Sequence, residues 1–137
     1  MNYWLIKSEP NTWSWEDQKR VETEPWNGVR NYQAANNMKA MKTGDLAFFY
    51  HSVKERKIVG IVEVVKEYYP DPSDETGRFG MVDFKVVEDV KHQVTLQEIK
   101  DDPRLSHLPL VKQSRLSVSP VDKEAWSIIY ANAQQKN

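Results

Sequence analysis

The chain has 137 residues, 19 basic and 20 acidic side chains, a formal charge of −1 and no cysteine. Its length suits one compact domain, residues 1–137, with a real hydrophobic core. The charge excludes nucleic-acid binding by bulk positive potential, so any such binding needs a local patch or a pocket, and the missing cysteine excludes a disulfide framework, a thiolate zinc site and a Cys nucleophile.

Tyr3 to Lys7 reads as a short strand ended by Ser8-Glu9-Pro10, because Pro10 forces Glu9 into an extended conformation and stops the ladder. Thr12 or Ser14 caps a short helix through Arg20, with Glu16 and Asp17 near its positive end. Thr23 to Asn27 is expected to be a loop. The Asn27-Gly28 turn then leads into a helix over Val29 to Met41, broken by Thr43-Gly44-Asp45. Leu46 to His51 is apolar throughout and reads as a strand buried on both faces. Lys57 to Glu67 is a second strand, and Gly60 within it predicts a bulge or bend. Tyr69 to Gly77 carries every loop signal and reads as an acidic, mobile segment. Gly80 to Val90 alternates as a half-buried strand. Thr95 caps a helix through Lys100, with Glu98 completing a capping box. Arg104 to Leu110 forms one helical turn, and Arg115 to Val118 a short strand. The last helix starts at Ser119-Pro120 or at Asp122, and Ala133 to Asn137 is expected to fray. Five or so strands with helices between them predict an α+β fold built on a small curled or barrel-like sheet. A parallel α/β sheet is not expected, because the two longest strands are joined without a crossover helix.

No apolar run approaches the length of a membrane span, and Met1 to Trp4 runs directly into a strand, so neither a signal peptide nor a membrane partner is expected and the expected location is cytoplasmic. There is no glycine-rich phosphate loop, nucleophile elbow or paired-histidine zinc motif. The three histidines, His51, His92 and His107, lie on separate segments, so no metal, cofactor or acid–base constellation is expected, and no enzyme. Ser8 and Glu9 do not form a dyad, since consecutive residues of an extended chain face opposite ways.

Chemistry is concentrated around Trp26-Asn27-Gly28-Val29-Arg30-Asn31-Tyr32, where two aromatics, two amides and a guanidinium fall beside a helix start. Each aromatic taken alone reads more simply as core. Together with Ser8, Phe49 and His51 at strand ends, Trp26, Asn31 and Tyr32 are placed to converge on one rim of a small barrel. The expected slot has aromatic walls and a polar floor, which suits a flat heteroaromatic ligand such as a nucleobase. One stacked base gains about 1–3 kcal/mol, and unpairing a base costs about as much, so two stacking faces plus edge hydrogen bonds are required.

Tyr3-Trp4-Leu5-Ile6-Lys7-Ser8-Glu9-Pro10, Trp26 to Ala34, Met41 to Asp45, Phe48 to Ser52, Ile61 to Val64 with Tyr69-Pro70-Asp71, and Arg115 to Val118 with Pro120 closely resemble the signature of the EVE domain family, in order and over nearly the whole chain. The resemblance implies a PUA-like mixed pseudo-barrel of five to six strands, related to YTH and ASCH domains. It also implies a non-catalytic reader of a modified nucleobase, a modified cytosine or a methylated adenine, in DNA or RNA; many larger relatives carry an N-terminal extension or a fused nuclease or ATPase domain, and in departure from them a stand-alone reader is expected here. Restriction or RNA-modification proteins are the implied partners, and a monomer is expected. Carried over by position, the pocket takes in Lys7 and Ser8, Trp26 as stacking wall, Asn31 as edge reader, Phe49 and His51 as the facing side, and Leu116 as a cap. Arg30 and Arg115 are the implied phosphate contacts, and Tyr32 is either wall or support. A small-molecule sensor, a protein-interaction module using the same slot, and a nucleobase- or nucleotide-acting enzyme remain the alternatives.

Overall fold

A computed structural model describes residues 1–135. Six strands form one mixed sheet: β1 (Tyr3–Ser8), β2 (Thr23–Pro25), β3 (Leu46–His51), β4 (Lys57–Pro70), β5 (Gly80–Thr95) and β6 (Val118–Val121), in the order β2, β5, β4, β3, β1, β6. Only β1 and β3 run parallel, with Ile6 opposite Phe49 and Ser8 opposite His51; the other pairs are antiparallel. The crossover between β1 and β3 contains α1 (Trp15–Val21), β2 and α2 (Tyr32–Ala40). The remaining helices are α3 (Leu96–Asp101), α4 (Pro109–Lys112) and α5 (Lys123–Ala133), with a 3-10 turn at Pro103–Leu105.

The period-two alternation of the strands divides the core. Trp4, Ile6, Ala47, Phe49, Val62 and Val64 face α1 and α2 together with Trp15, Ala34 and Met38. Leu5, Phe48, Tyr50 and Ile61 face the other way, against Ile99, Leu110, Trp126 and Ile129. This is why β3 is apolar without interruption. The sheet curls through register shifts along β4, one of them between Ile58 and Gly60, as the glycine predicts. A side chain at Gly60 would lie 2.1 Å from the Trp15 ring, so the indole rests on bare backbone there.

Several boundaries differ from expectation. Thr23–Pro25 is a strand rather than a loop; as the sheet edge, it tolerates Pro25. β4 runs to Pro70 and β5 to Thr95, longer than their patterns suggested, because each extension pairs with the other strand: Tyr69 lies opposite Met81, and Val94 opposite Ile58. The final short strand begins at Val118, not Arg115. Ser14, not Thr12, caps α1, with a capping box to Asp17, and Asp122 caps α5. Thr95 does cap α3, but the Glu98 carboxylate turns to His92 Nε2 at 2.8 Å instead of to the cap backbone. Of the frayed C-terminal tail that was expected, Lys136 and Asn137 lie outside the described residues.

Candidate functional site

A groove of about 480 Å³ opens where β1 ends. Its walls come from Lys7 and Ser8, from Trp13 in the β1–α1 loop, from Glu24 and Pro25 of β2, and from the segment Trp26 to Asn31, with Ser117 closing one end. The position follows from the topology. β1 is interior to the sheet, and Pro10 turns the chain away at its end, so the next loop and the β2–α2 segment meet over the strand terminus.

Two indoles line the groove. Trp13 is half-buried; its backbone N–H donates to the Glu9 carbonyl (2.9 Å) and its Nε1 donates to Gln18 Oε1 (2.8 Å). The Gln18 side chain is fully buried and donates in turn to the Glu22 and Phe84 carbonyls, so the Trp13 ring is fixed by an amide that itself has little freedom. The Ser8 hydroxyl donates to the Trp13 carbonyl, tying the loop to the strand. Trp26 is half-buried and packs edge-on with Phe49 and Phe84, centroids 5.7 Å away in both cases. Its backbone N–H donates to the Val82 carbonyl at 2.7 Å, continuing the β2–β5 ladder one residue past the strand.

The segment after Trp26 is held by Asp71. The Asp71 side chain has no exposed surface; one oxygen accepts from Gly28 N–H (2.8 Å) and Arg30 Nη1 (3.1 Å), the other from the Ser73 N–H (2.8 Å) and hydroxyl (2.6 Å). Burial pushes this carboxyl up, but the Ser73, Gly28 and Arg30 donors outweigh it and hold the pKa down at about 2. Gly28 takes φ +81°, a conformation open to glycine at no steric cost. The Tyr69–Gly77 segment, expected to be mobile, therefore contributes the anchor of the groove wall.

Polar groups on the groove carry distinct electrostatics. Glu24 has its pKa raised, first by burial and then by the neighbouring Asp83 carboxylate. Lys7 has its pKa lowered by burial; its Nζ donates to the Ser114 carbonyl at 2.9 Å. Asn31 is the N-cap of α2: its Oδ1 accepts from Ala34 N–H at 2.9 Å. The helix therefore begins at Tyr32 rather than Val29, and the Asn31 NH2 group, which makes no bond among the described residues, is left for a ligand.

The structure brings Lys7, Ser8, Trp26 and Asn31 onto one groove, with Arg30 also on its lining, and separates the others. Phe49 has no exposed surface and lies beneath Trp26, not across from it. His51 is also buried behind the groove: its Nε2 accepts from Trp15 N–H (2.9 Å) and its Nδ1 faces Glu55 Oε1 (2.9 Å). It satisfies one of the unpaired first-turn amides of α1. Leu116 is core, 4 % exposed. Tyr32 is exposed and lies against Phe79, away from the groove lining. Arg30 is tied to Asp71 and Ser73, and Arg115 lines a separate groove. Trp13, Glu24 and Asp71 were not singled out from the sequence. The crowding of tryptophans into the first 26 residues was the available signal for Trp13; Glu24 becomes visible only through its pairing across the sheet, and Asp71, present in the sequence only within the family signature, through its bonds to Gly28 and Arg30. Among the described residues no cluster of three or more His, Cys, Asp or Glu side chains is arranged to hold a metal ion.

Residues 2–132 match the EVE domain family. The chain is 38% identical to mouse thymocyte nuclear protein 1 over 162 aligned positions, covering 93% of this chain and 72% of that protein. Among solved structures, a protein from Agrobacterium tumefaciens superposes with TM-score 0.94 at 45% identity, covering 100% of this chain and 96% of that one. The human THYN1 protein, in a crystal structure with 5-methylcytosine-containing DNA, superposes with TM-score 0.92 at 34% identity, covering all of both chains. An ASCH protein from Zymomonas mobilis shares the fold alone, at TM-score 0.63 and 10% identity over 99% of both chains. The fold is thus the α+β, PUA-like type, and the chain belongs to the EVE domain family.

Proposed function

We propose that this protein is a non-catalytic reader of a modified nucleobase, a modified cytosine in DNA, held in the groove between Trp13 and Trp26. The observation that carries the reading is the pair of braced indoles lining one groove together with polar side chains. Its volume, about 480 Å³, lies within the range of about 300–1,000 Å³ usual for ligand clefts. Stacking on aromatics is worth about 1–3 kcal/mol per base and is indifferent to base identity, so the edge must be read by polar groups. Glu24 has the right chemistry for a cytosine, whose exocyclic amine is a donor that carboxylates accept. The Asn31 NH2 and the Ser8 region supply further polar contacts. The human relative's complex with 5-methylcytosine DNA supports the choice of base and of nucleic acid. None of the three histidines lines the groove; each faces a carboxylate elsewhere.

The test is titration with a panel of modified and unmodified nucleosides and short DNA and RNA oligonucleotides, followed by tryptophan fluorescence. The response is expected to be largest for DNA carrying a modified cytosine and to vanish in Trp26→Ala. Equal binding by the variant removes the groove assignment. Conversion of any panel member to product removes the non-catalytic reading.

A further inference from the structure

A second groove, also about 480 Å³, adjoins the first and shares Lys7 and Ser117 with it. Its lining contains four cationic side chains, Lys7, Arg56, Lys100 and Arg115, and no carboxylate. Arg56, Lys100 and Arg115 are exposed and make no ion pair among the described residues. In a chain of net charge −1, four cations on one groove without an acid are a local concentration that bulk composition conceals.

The backbone at this groove is also unusual. Val53 and Arg56, both in the β3–β4 turn, have φ of 71° and 50°. For a β-branched residue this region is disfavoured, and such strain gathers at sites where a side chain must be presented in one direction. The turn uses it to orient Arg56: its Nε donates to the Val53 carbonyl at 2.8 Å, and among the described residues no partner takes its terminal amines. A guanidinium with its fork free is suited to phosphate oxygens.

We infer that this groove carries the sugar–phosphate backbone of the strand whose base enters the adjoining slot, with Arg56, Lys100 and Arg115 on phosphates and Lys7 at the junction. The inference rests on the base-reading function of the first groove and extends it to the path of the strand. Only one strand is guided this way, so the ligand is single-stranded at the site or has the target base extruded from its duplex.

The experiment measures fluorescence anisotropy of labelled single-stranded DNA, with and without one 5-methylcytosine, across a salt series. The Arg56→Gln/Lys100→Gln double variant is compared with the parent; both residues are exposed, and an unchanged melting temperature confirms the fold. Each lost phosphate contact flattens the slope of log K against log salt by about 0.7 for a single strand, so the double variant should flatten it by about 1.4. Affinity for both DNAs should fall by the same factor, leaving their ratio intact. Trp26→Ala should do the reverse, lowering the ratio and sparing the slope. A slope unchanged in the double variant, or no salt-dependent binding of either DNA by the parent protein, overturns the inference. Equal affinity for the two DNAs with a flattened slope overturns the base reading instead and leaves the backbone groove standing.

Discussion

Asp71→Asn tests how the groove wall is held. The wild-type carboxylate accepts four hydrogen bonds in the absence of solvent, two on each oxygen. An amide keeps one acceptor oxygen and turns an NH2 group toward the other two donors, so either the Ser73 pair or the Gly28 and Arg30 pair loses its partner. A buried donor left unsatisfied costs about 1–3 kcal/mol, and the Arg30 charge adds to this. Linkage gives a second, independent figure. The folded pKa of about 2 lies below the ordinary 3.8, so this group's stabilisation is fully present above 3.8 and is lost as pH falls from there through about 2. The difference corresponds to about 2 kcal/mol. Urea unfolding of both proteins should therefore show a deficit of about 2–3 kcal/mol for the variant at neutral pH, shrinking by about 2 kcal/mol as pH falls to 2. The other depressed carboxylates, such as Asp17, Asp89 and Asp122, titrate alike in both proteins and cancel in the comparison. A deficit that stays constant across the acid range, or a variant as stable as the parent, would refute the assignment of Asp71 as the anchor.

Two further substitutions separate structure from recognition. His51→Ala should cost about 1–3 kcal/mol in urea unfolding, because the buried Trp15 N–H loses its acceptor, while any preference for modified DNA survives in the folded protein. Loss of that preference at unchanged stability would return His51 to the site. Asn31→Asp keeps a side-chain oxygen for the Ala34 N–H, and Asp and Asn are nearly equivalent caps, so thermal stability should stay within about 0.5 kcal/mol of the parent. DNA affinity measured on the same sample should nevertheless fall, since the NH2 group becomes a charged acceptor beside the bound strand; unchanged affinity would remove Asn31 from base recognition.

The alternation of apolar residues and the turn dipeptides made much of the fold legible in advance. β1, β3 and most of β4 and β5 follow from their patterns, and Ser14, Thr95 and Asp122 were visible as caps because capping is a contact within three residues. What stayed hidden depends on partners far along the chain. β2 has too short and too polar a sequence to declare itself, and it exists by pairing with Lys85, Phe84 and Asp83 some sixty residues away. The 69–77 segment looks like any acidic loop until Asp71 is seen to bond Gly28 and Arg30. The site was legible as a neighbourhood: Ser8, Trp26 and Asn31 do meet. Its details were not, because an aromatic such as Phe49 at a strand end faces slot or core according to register, which the sequence of β3 leaves open when both faces are apolar.

The most direct test of the base-reading account is the affinity ratio for two matched DNAs that differ by one methyl group on one cytosine, measured by anisotropy for the parent and for Trp26→Ala. The account predicts that the parent prefers the methylated DNA. It also predicts that removing the indole costs about 1–3 kcal/mol of binding to that DNA, a loss of about 5- to 150-fold, and takes the preference with it. Equal affinity of the parent for both DNAs, or a variant that binds and discriminates as the parent does, would contradict it.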